Sequence, residues 1–495
     1  MDPILYWNDV ALEANRVSHT NNKKEQTGPT LSSRALGIVH LAMYDALAGV
    51  TNTPATLPLY LPLASIAPLP AAGSSLDAAV AAAAHATLSK LYPSQKAFFD
   101  QRHQAAGIVG TPLAIGRGHQ FGLRVATALL ADRKDDPGAG DDGYAASMQR
   151  GGHRPDPDNP DQGYHGPFYG VAKLFAANNR FSLGPPPGLT SQPYLRALRE
   201  VRRKGIAPQL MGTLPNNVVG RSVDEGLIGI YWGYDGARRL GTPPRLYNQI
   251  VRRVADNKGN TVVDNARLFA FVNAAMADAG ILSWADKYKY DLWRPVVGIR
   301  EHDASMGPAS GSGNNISNDC DPGWLPLGAP STNGLDPADE SCAPAYPGHH
   351  TRRALAKNFT PPFPAYPSGH ATFGAAAFHI TRLFYGIPAG NRAADQLFKN
   401  LSFVSEEFDG ANRDNLGTVR PRHERSFPGG LWQMIEENGR SRVYLGVHWV
   451  FDAFATKPNG SMDLAQNVGG VRLGLDIAEN VFGAGSKKAP KKSMV

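Results

Sequence analysis

Three short stretches of this 495-residue chain carry side chains whose chemistry exceeds what a plain helix needs. The first, SWADKYKYDLWRPVVGIR (283–300), sets Lys287 and Arg294 seven positions apart. On one continuing helix both cations share a face about two turns apart, and Pro295 ends or bends that helix. Such cations are ordinarily solvated, but Trp284, Tyr288, Tyr290, Leu292 and Trp293 flank them, and buried cations want an anion. The second, PAYPSGHATFG (364–374), places Ser368, Gly369 and His370 at the start of an apolar run. A serine there reads as an N-cap, or as one of three donors (hydroxyl, free N–H, imidazole) converging on an oxyanion. The third is SRVYLGVHWVFDAFA (441–455). Arg442 and His448 would diverge on an unbroken helix, but Gly446 offers a break. Arg442 then closes one helix, His448 sits in the first turn of the next, and both face one pocket. Taken alone, His448 reads as a satisfied core histidine, and His349 and His350 read as loop residues.

Together the stretches supply two arginines, a lysine, a serine, a glycine N–H and two histidines. That is a donor set for a tetrahedral oxyanion: guanidinium forks match its oxygens in pairs, Lys adds a point charge, and Ser with a helix N-terminus adds neutral donors. One histidine can attack the central atom while the other moves a proton on the opposite side. No His/Cys/carboxylate set with zinc spacing, Walker loop or nucleophile elbow accompanies them.

The elements that must position these groups read as helices. Apolar residues recur at helical spacing over 31–50, 74–92, 111–133, 265–287, 371–386 and 431–446. Period-two alternation is scarce, so an extensive sheet is not expected. Long Pro/Gly/Asp connections fill 134–170 and 301–366, the kind of segment that carries function. An all-α pair of bundles fits best, divided near residue 200 into 1–200 and 201–495 or built as one compact unit. At 42% hydrophobic and 19% charged, the composition is globular. The net charge of +7 comes without a Lys/Arg stripe interleaved with aromatics, which argues against nucleic acid. Part of it sits in GSKKAPKKSMV, which reads as a loose terminus. No secretory signal is visible, and the apolar run at 78–88 is too short to span a bilayer, so a soluble protein without a membrane span is expected. Two cysteines, Cys320 and Cys342, allow a single bridge but no disulfide framework.

Taken in order, Lys287…Arg294-Pro295, Pro367-Ser368-Gly369-His370 and Ser441-Arg442…Gly446…His448…Asp452 resemble the superfamily shared by vanadium-dependent haloperoxidases and type 2 phosphatidic acid phosphatases. ILYWNDVALEANRVSHT (4–20), YWGYDGARRLGTPPRLYNQIVRR (231–253), TPPFPAYPSGHATFG (360–374) and LGLDIAENVF (473–482) extend the likeness toward the fungal vanadium chloroperoxidases. The resemblance implies two four-helix bundles with vanadate near the top of the second. It implies that His448 bonds the vanadium, that Lys287, Arg294, Ser368, the Gly369 N–H and Arg442 hold its oxygens, and that His370 is the acid–base. Asp235 matches a carboxylate that orients Arg442. Asp452 is placed either to hold the His448 ring or as a helix-start charge. Trp284 and Phe363 match residues beside the halide, or are plain core aromatics. The implied reaction is oxidation of chloride and bromide by hydrogen peroxide to hypohalous acid, which halogenates small organic acceptors. The alternative is a vanadate-inhibited acid phosphatase with His448 as a phosphohistidine nucleophile. A non-catalytic oxyanion-binding protein is the third reading.

Overall fold

The computed structural model describes residues 1–141, 143–214, 217–335 and 357–495. In chain order come α1 (Pro3–Ser18), α2 (Gly28–Thr51), the single turn α3 (Leu63–Ile66), α4 (Leu76–Leu91), α5 (Lys96–Gln104), α6 (Pro112–Asp132), α7 (Gln192–Lys204), α8 (Val223–Tyr231), α9 (Pro243–Lys258), α10 (Val262–Tyr290), α11 (Pro295–Arg300), α12 (Gly369–Phe384), α13 (Gly430–Tyr444), the short α14 (Val450–Ala453) and α15 (Gly470–Ala484). Among the described residues the only sheets are two antiparallel ribbons, β1 (Leu401–Val404) with β2 (Glu424–Phe427) and β3 (Ala455–Thr456) with β4 (Met462–Asp463). The expected all-α class holds, and the six helices read from periodicity are all present.

Helix starts follow local chemistry. Asp2, Ser75, Thr111, Ser191 and Ser368 each cap a first turn by accepting a backbone N–H. Ser222 with Glu225 and Thr261 with Asp264 form reciprocal capping boxes at α8 and α10. Packing then follows residue size. On α6, a Cβ at Gly122 would lie 2.1 Å from the Ala79 carbonyl, so glycine lets α6 lie directly on the alanine-rich α4. Gly474 of α15 does the same against α12, 2.4 Å from the Thr372 carbonyl.

At the centre runs α10, 29 residues long and packed by α2, α12 and α15. By length and composition alone it could cross a membrane, yet its apolar window is buried inside the protein. Its polar residues are staples. The Asp278 carboxylate accepts the backbone N–H groups of Phe175, Ala176 and Ala177, and Asp286 accepts the Ser182 hydroxyl and the Leu183 N–H.

Three expectations are corrected. The helix bearing Lys287 does not continue to Arg294: α10 stops at Tyr290, and Asp291 takes a left-handed conformation at φ 47°. Arg294 is extended at φ −78°, ψ 158°, as a residue before proline prefers, and Pro295 starts α11 instead of ending α10. His448 stands just ahead of α14 and not in its first turn, because extended Trp449 is the N-cap. The expected break at Gly446 is present at φ +75°, where a Cβ would come within 2.5 Å of the Gly205 carbonyl. Lastly, the basic tail is docked. Ser493 donates to the Phe175 and Ala177 carbonyls, Val495 accepts the Leu174 N–H, and Lys492 pairs with Asp132. Cys320 is buried with its thiol 3.6 Å from the Arg300 carbonyl. Its suggested partner Cys342, with His349 and His350, lies outside the described residues.

Since three buried N–H groups rest on one carboxylate, Asp278→Ala should lower the unfolding free energy by about 3 kcal/mol or more, read by urea titration. An unchanged midpoint would show that the 175–177 segment does not depend on it.

Candidate active site

Lys287 lies in the last turn of α10, fully enclosed. Its ammonium donates to the carbonyls of Pro364 (2.8 Å), Ala365 (3.2 Å) and Pro367 (2.6 Å). It also stands 5.4 Å and 5.0 Å from the ring centres of Trp284 and Phe363. Arg294 donates through Nε to the Phe363 carbonyl (2.9 Å) and through Nη1 to the Val447 carbonyl (2.8 Å) and His448 Nε2 (2.9 Å). The His448 Nδ1–H donates to Asp452 at 2.7 Å, which leaves the lone pair on Nε2. Asp452 also accepts the Trp449 N–H at 3.0 Å.

Ser368 caps α12, its Oγ accepting the Ala371 N–H at 3.4 Å, and the Gly369 N–H opens the helix. The His370 Nε2–H donates to the Gly233 carbonyl at 2.7 Å and lies 3.9 Å from Asp235. Arg442, in the last turn of α13, donates through Nη2 to Asp235 at 2.6 Å. A cavity of about 270 Å³ is lined by Asp235, Trp284, Phe363, Gly369, His370, Arg442 and His448. Pro29, Pro243, Phe359 and Phe373 add apolar wall. Lys287, Arg294 and Ser368 stand behind this lining.

The electrostatics share one cause. Burial, reinforced by Arg294, pushes the Lys287 ammonium well below its ordinary range. Burial also lowers Arg294 to about 9. His370 falls to about 4 through burial and then Arg442, and His448 falls well below its usual value through burial and then Arg294. Burial raises Asp452 to about 7 against the pull of Lys287 and Arg294. Arg294 Nη2, Arg442 Nε and Arg442 Nη1 are buried donors with no acceptor among the described residues. Guanidinium only donates, so these atoms ask for an anion. Among the described residues no group of three His, Cys, Asp or Glu could hold a bare metal ion. Orphaned guanidinium donors and an imidazole lone pair at one cavity fit vanadate, an oxyanion whose central atom accepts nitrogen.

Sequence reasoning missed two histidines in the 134–170 connection. His165 lines the cavity beside Trp284 and Phe363. His153 is buried with neither ring nitrogen hydrogen-bonded among the described residues, and its pKa is pushed down by burial and then Arg294. Their signal was their place in a long Pro/Gly/Asp loop.

A helical fold closing on buried guanidinium donors at one cavity defines an oxyanion site. Family models for the vanadium chloroperoxidase N-terminal domain and for the VCPO second helical-bundle domain match residues 1–173 and 267–471. The chain is 34% identical to the vanadium chloroperoxidase of Curvularia inaequalis, covering 98% of this chain and 90% of that one. The fold is shared with the first bacterial vanadium-dependent iodoperoxidase of known structure (TM-score 0.61, 18% identity, 96% of this chain and 95% of that). It is shared equally with a holo-type bacterial vanadium-dependent chloroperoxidase (TM-score 0.59, 15% identity, 95% of each). The chain belongs to the vanadium chloroperoxidase family.

A tetrahedral oxyanion that meets the orphaned donors must stabilise the fold. Orthovanadate or inorganic phosphate at about 100 times its Kd should add about 2.7 kcal/mol, seen as a rise in Tm. Sodium chloride at equal ionic strength should not reproduce the rise, and Arg442→Ala should lose most of it.

Proposed function

We propose that this vanadium haloperoxidase oxidises chloride as well as bromide with hydrogen peroxide, and that the hypohalous acid formed halogenates small organic acceptors. The observation that carries the reading is the His448 imidazole. Asp452 fixes its proton on Nδ1, and its Nε2 lone pair faces the Arg294 guanidinium, 2.9 Å from Nη1, on the cavity lining that it shares with Arg442. His448 would bond the vanadium. Arg294, Arg442, Ser368 and the Gly369 N–H would hold the oxygens, with Lys287 adding charge from behind and Asp235 orienting Arg442. When bound, vanadate supplies Lewis-acid activation of peroxide.

His370 holds its Nε2 proton on the Gly233 carbonyl, which leaves Nδ1 as its basic nitrogen. Burial and Arg442 keep the ring neutral, so Nδ1 takes the proton that incoming peroxide must lose. Trp284 and Phe363, with ring centres 4.8 Å apart, wall the cavity beside the Lys287 ammonium. An apolar wall strips water from chloride, the most strongly hydrated of the halides in question, and the nearby cation keeps the stripped ion bound. Residues 1–200 are read as an N-terminal bundle and 201–495 as the bundle carrying the clamp, with Pro29 and His165 reaching the cavity from the first.

Chlorination of monochlorodimedone with peroxide, chloride and added orthovanadate tests the reading. The expected result is turnover with chloride and bromide that stops when vanadate is withdrawn. Hydrolysis of p-nitrophenyl phosphate without halide oxidation would establish the phosphatase instead. His448→Ala should retain no vanadium after dialysis, by metal analysis, and Asp452→Asn should weaken vanadate binding about 10- to 100-fold.

A further inference from the structure

The wall that Trp284 and Phe363 present to the cavity contains a third ring. The His165 imidazole lies 6.0 Å from the Trp284 ring centre and 6.1 Å from that of Phe363. It packs on Gly28 at the start of α2, where a Cβ would come within 2.3 Å of the imidazole Cε1. Nε2 sits 2.9 Å from the Thr30 hydroxyl. That hydroxyl has no other hydrogen-bond partner among the described residues; with it donating to Nε2, the ring's own proton sits on Nδ1. Nδ1 makes no hydrogen bond among the described residues. Burial, with His19 nearby, lowers the pKa of the ring to about 4, so it is neutral and carries one N–H.

The main chain of His165 is anchored separately. Its N–H donates to the Pro362 carbonyl at 2.8 Å. Its carbonyl accepts the Trp284 indole N–H at 3.0 Å and the Tyr288 hydroxyl at 2.7 Å. Replacing the side chain therefore leaves the bonds that hold Trp284 in place.

A wall of Trp and Phe alone ranks halides by ease of desolvation, which favours iodide over bromide over chloride. A single N–H in that wall acts the other way. The smallest ion has the densest charge and accepts the strongest hydrogen bond, and low surrounding polarity magnifies the difference. We infer that the His165 Nδ1–H is the hydrogen-bond donor that receives the halide, and that this bond lets chloride compete with the larger halides. The inference rests on the haloperoxidase reading above and names the residue that sets its halide preference.

His165→Phe keeps a ring and removes the donor, while His165→Asn places an amide N–H near the position of Nδ1–H. In vanadate-loaded enzyme His165→Phe should raise the chloride KM about tenfold, the worth of one hydrogen bond to an ion. On the same argument the bromide KM rises about threefold and the iodide KM less than about twofold. His165→Asn should hold the chloride KM within about threefold of the parent. Thr30→Val frees the imidazole proton from Nδ1 and should raise the chloride KM about threefold, which carries the test if His165→Phe does not fold. Chloride NMR line width supplies a reading without turnover. In vanadate-free protein saturated with inorganic phosphate, the parent and His165→Asn should broaden the signal and His165→Phe should not. An unchanged chloride KM in the Phe or Val variant, or an equal rise for all three halides, overturns the inference. A parent that oxidises no halide overturns the proposed function itself, and the line width then decides whether His165 binds the ion.

Discussion

Lys287, Arg294 and Arg442 are sealed from water beside two carboxylates among the described residues, Asp235 and Asp452, and this surplus of buried positive charge governs how the chain around it is arranged. Removing such charges from water is costly unless each is surrounded by dipoles. The chain supplies them. Three carbonyls of the 364–367 segment take the Lys287 ammonium, and the carbonyls of Phe363 and Val447 take Arg294. Helix direction helps as well. Lys287 and Arg442 each occupy the last turn of a helix, at its negative end, while α12 points its positive end at the same cavity. Cations thus sit where helix dipoles stabilise them, and an anion entering the cavity would meet a helix end that attracts it.

Holding that arrangement requires stiffness, because an anion clamp that relaxes around its own charge loses its preference for the guest. Stiffness comes from polar ties between helices. The His370 carbonyl accepts from Tyr247 of α9 (3.1 Å) and Asn438 of α13 (2.8 Å), which joins three helices directly behind the His370 imidazole. A Cβ on Gly374, one turn along α12, would lie 2.3 Å from the Asn438 amide nitrogen, so glycine is what lets Asn438 reach across. The Ser368 N–H donates to the Asp452 carbonyl at 2.8 Å, fixing the start of α12 against the residue that orients His448.

Much of this was legible in the residues. Helices announced themselves by apolar spacing and capping residues, and the residues of the clamp stood in three readable stretches. What spacing could not convey was backbone direction. Seven positions between Lys287 and Arg294 look like two helical turns, but Asp291 reverses the chain and Pro295, well suited to a first turn, begins a new helix. The tail misled in a similar way. Its lysines suggest solvation, whereas Lys492 pairs with Asp132 and Ser493 bonds the carbonyls of a distant loop, which composition does not encode. His165 escaped notice because its partners come from α2, α10 and the 361–363 segment, a meeting visible only in three dimensions.

The same clamp would hold phosphate, so the distinction between peroxidase and phosphatase falls to the groups around it. Phosphate-ester cleavage asks His370 to arrive protonated and give its proton to a leaving alkoxide. Here burial and then the Arg442 charge lower the pKa of that ring to about 4 before an anion binds, and its Nε2–H is already spent on the Gly233 carbonyl. A neutral imidazole with a free lone pair suits a reaction that begins by removing a proton, as activation of peroxide does. Trp284, Phe363 and Phe373 present an apolar face to the cavity, the one indole N–H among them being bonded to the His165 carbonyl. A monatomic ion needs nothing more than an apolar wall, one donor and a nearby cation.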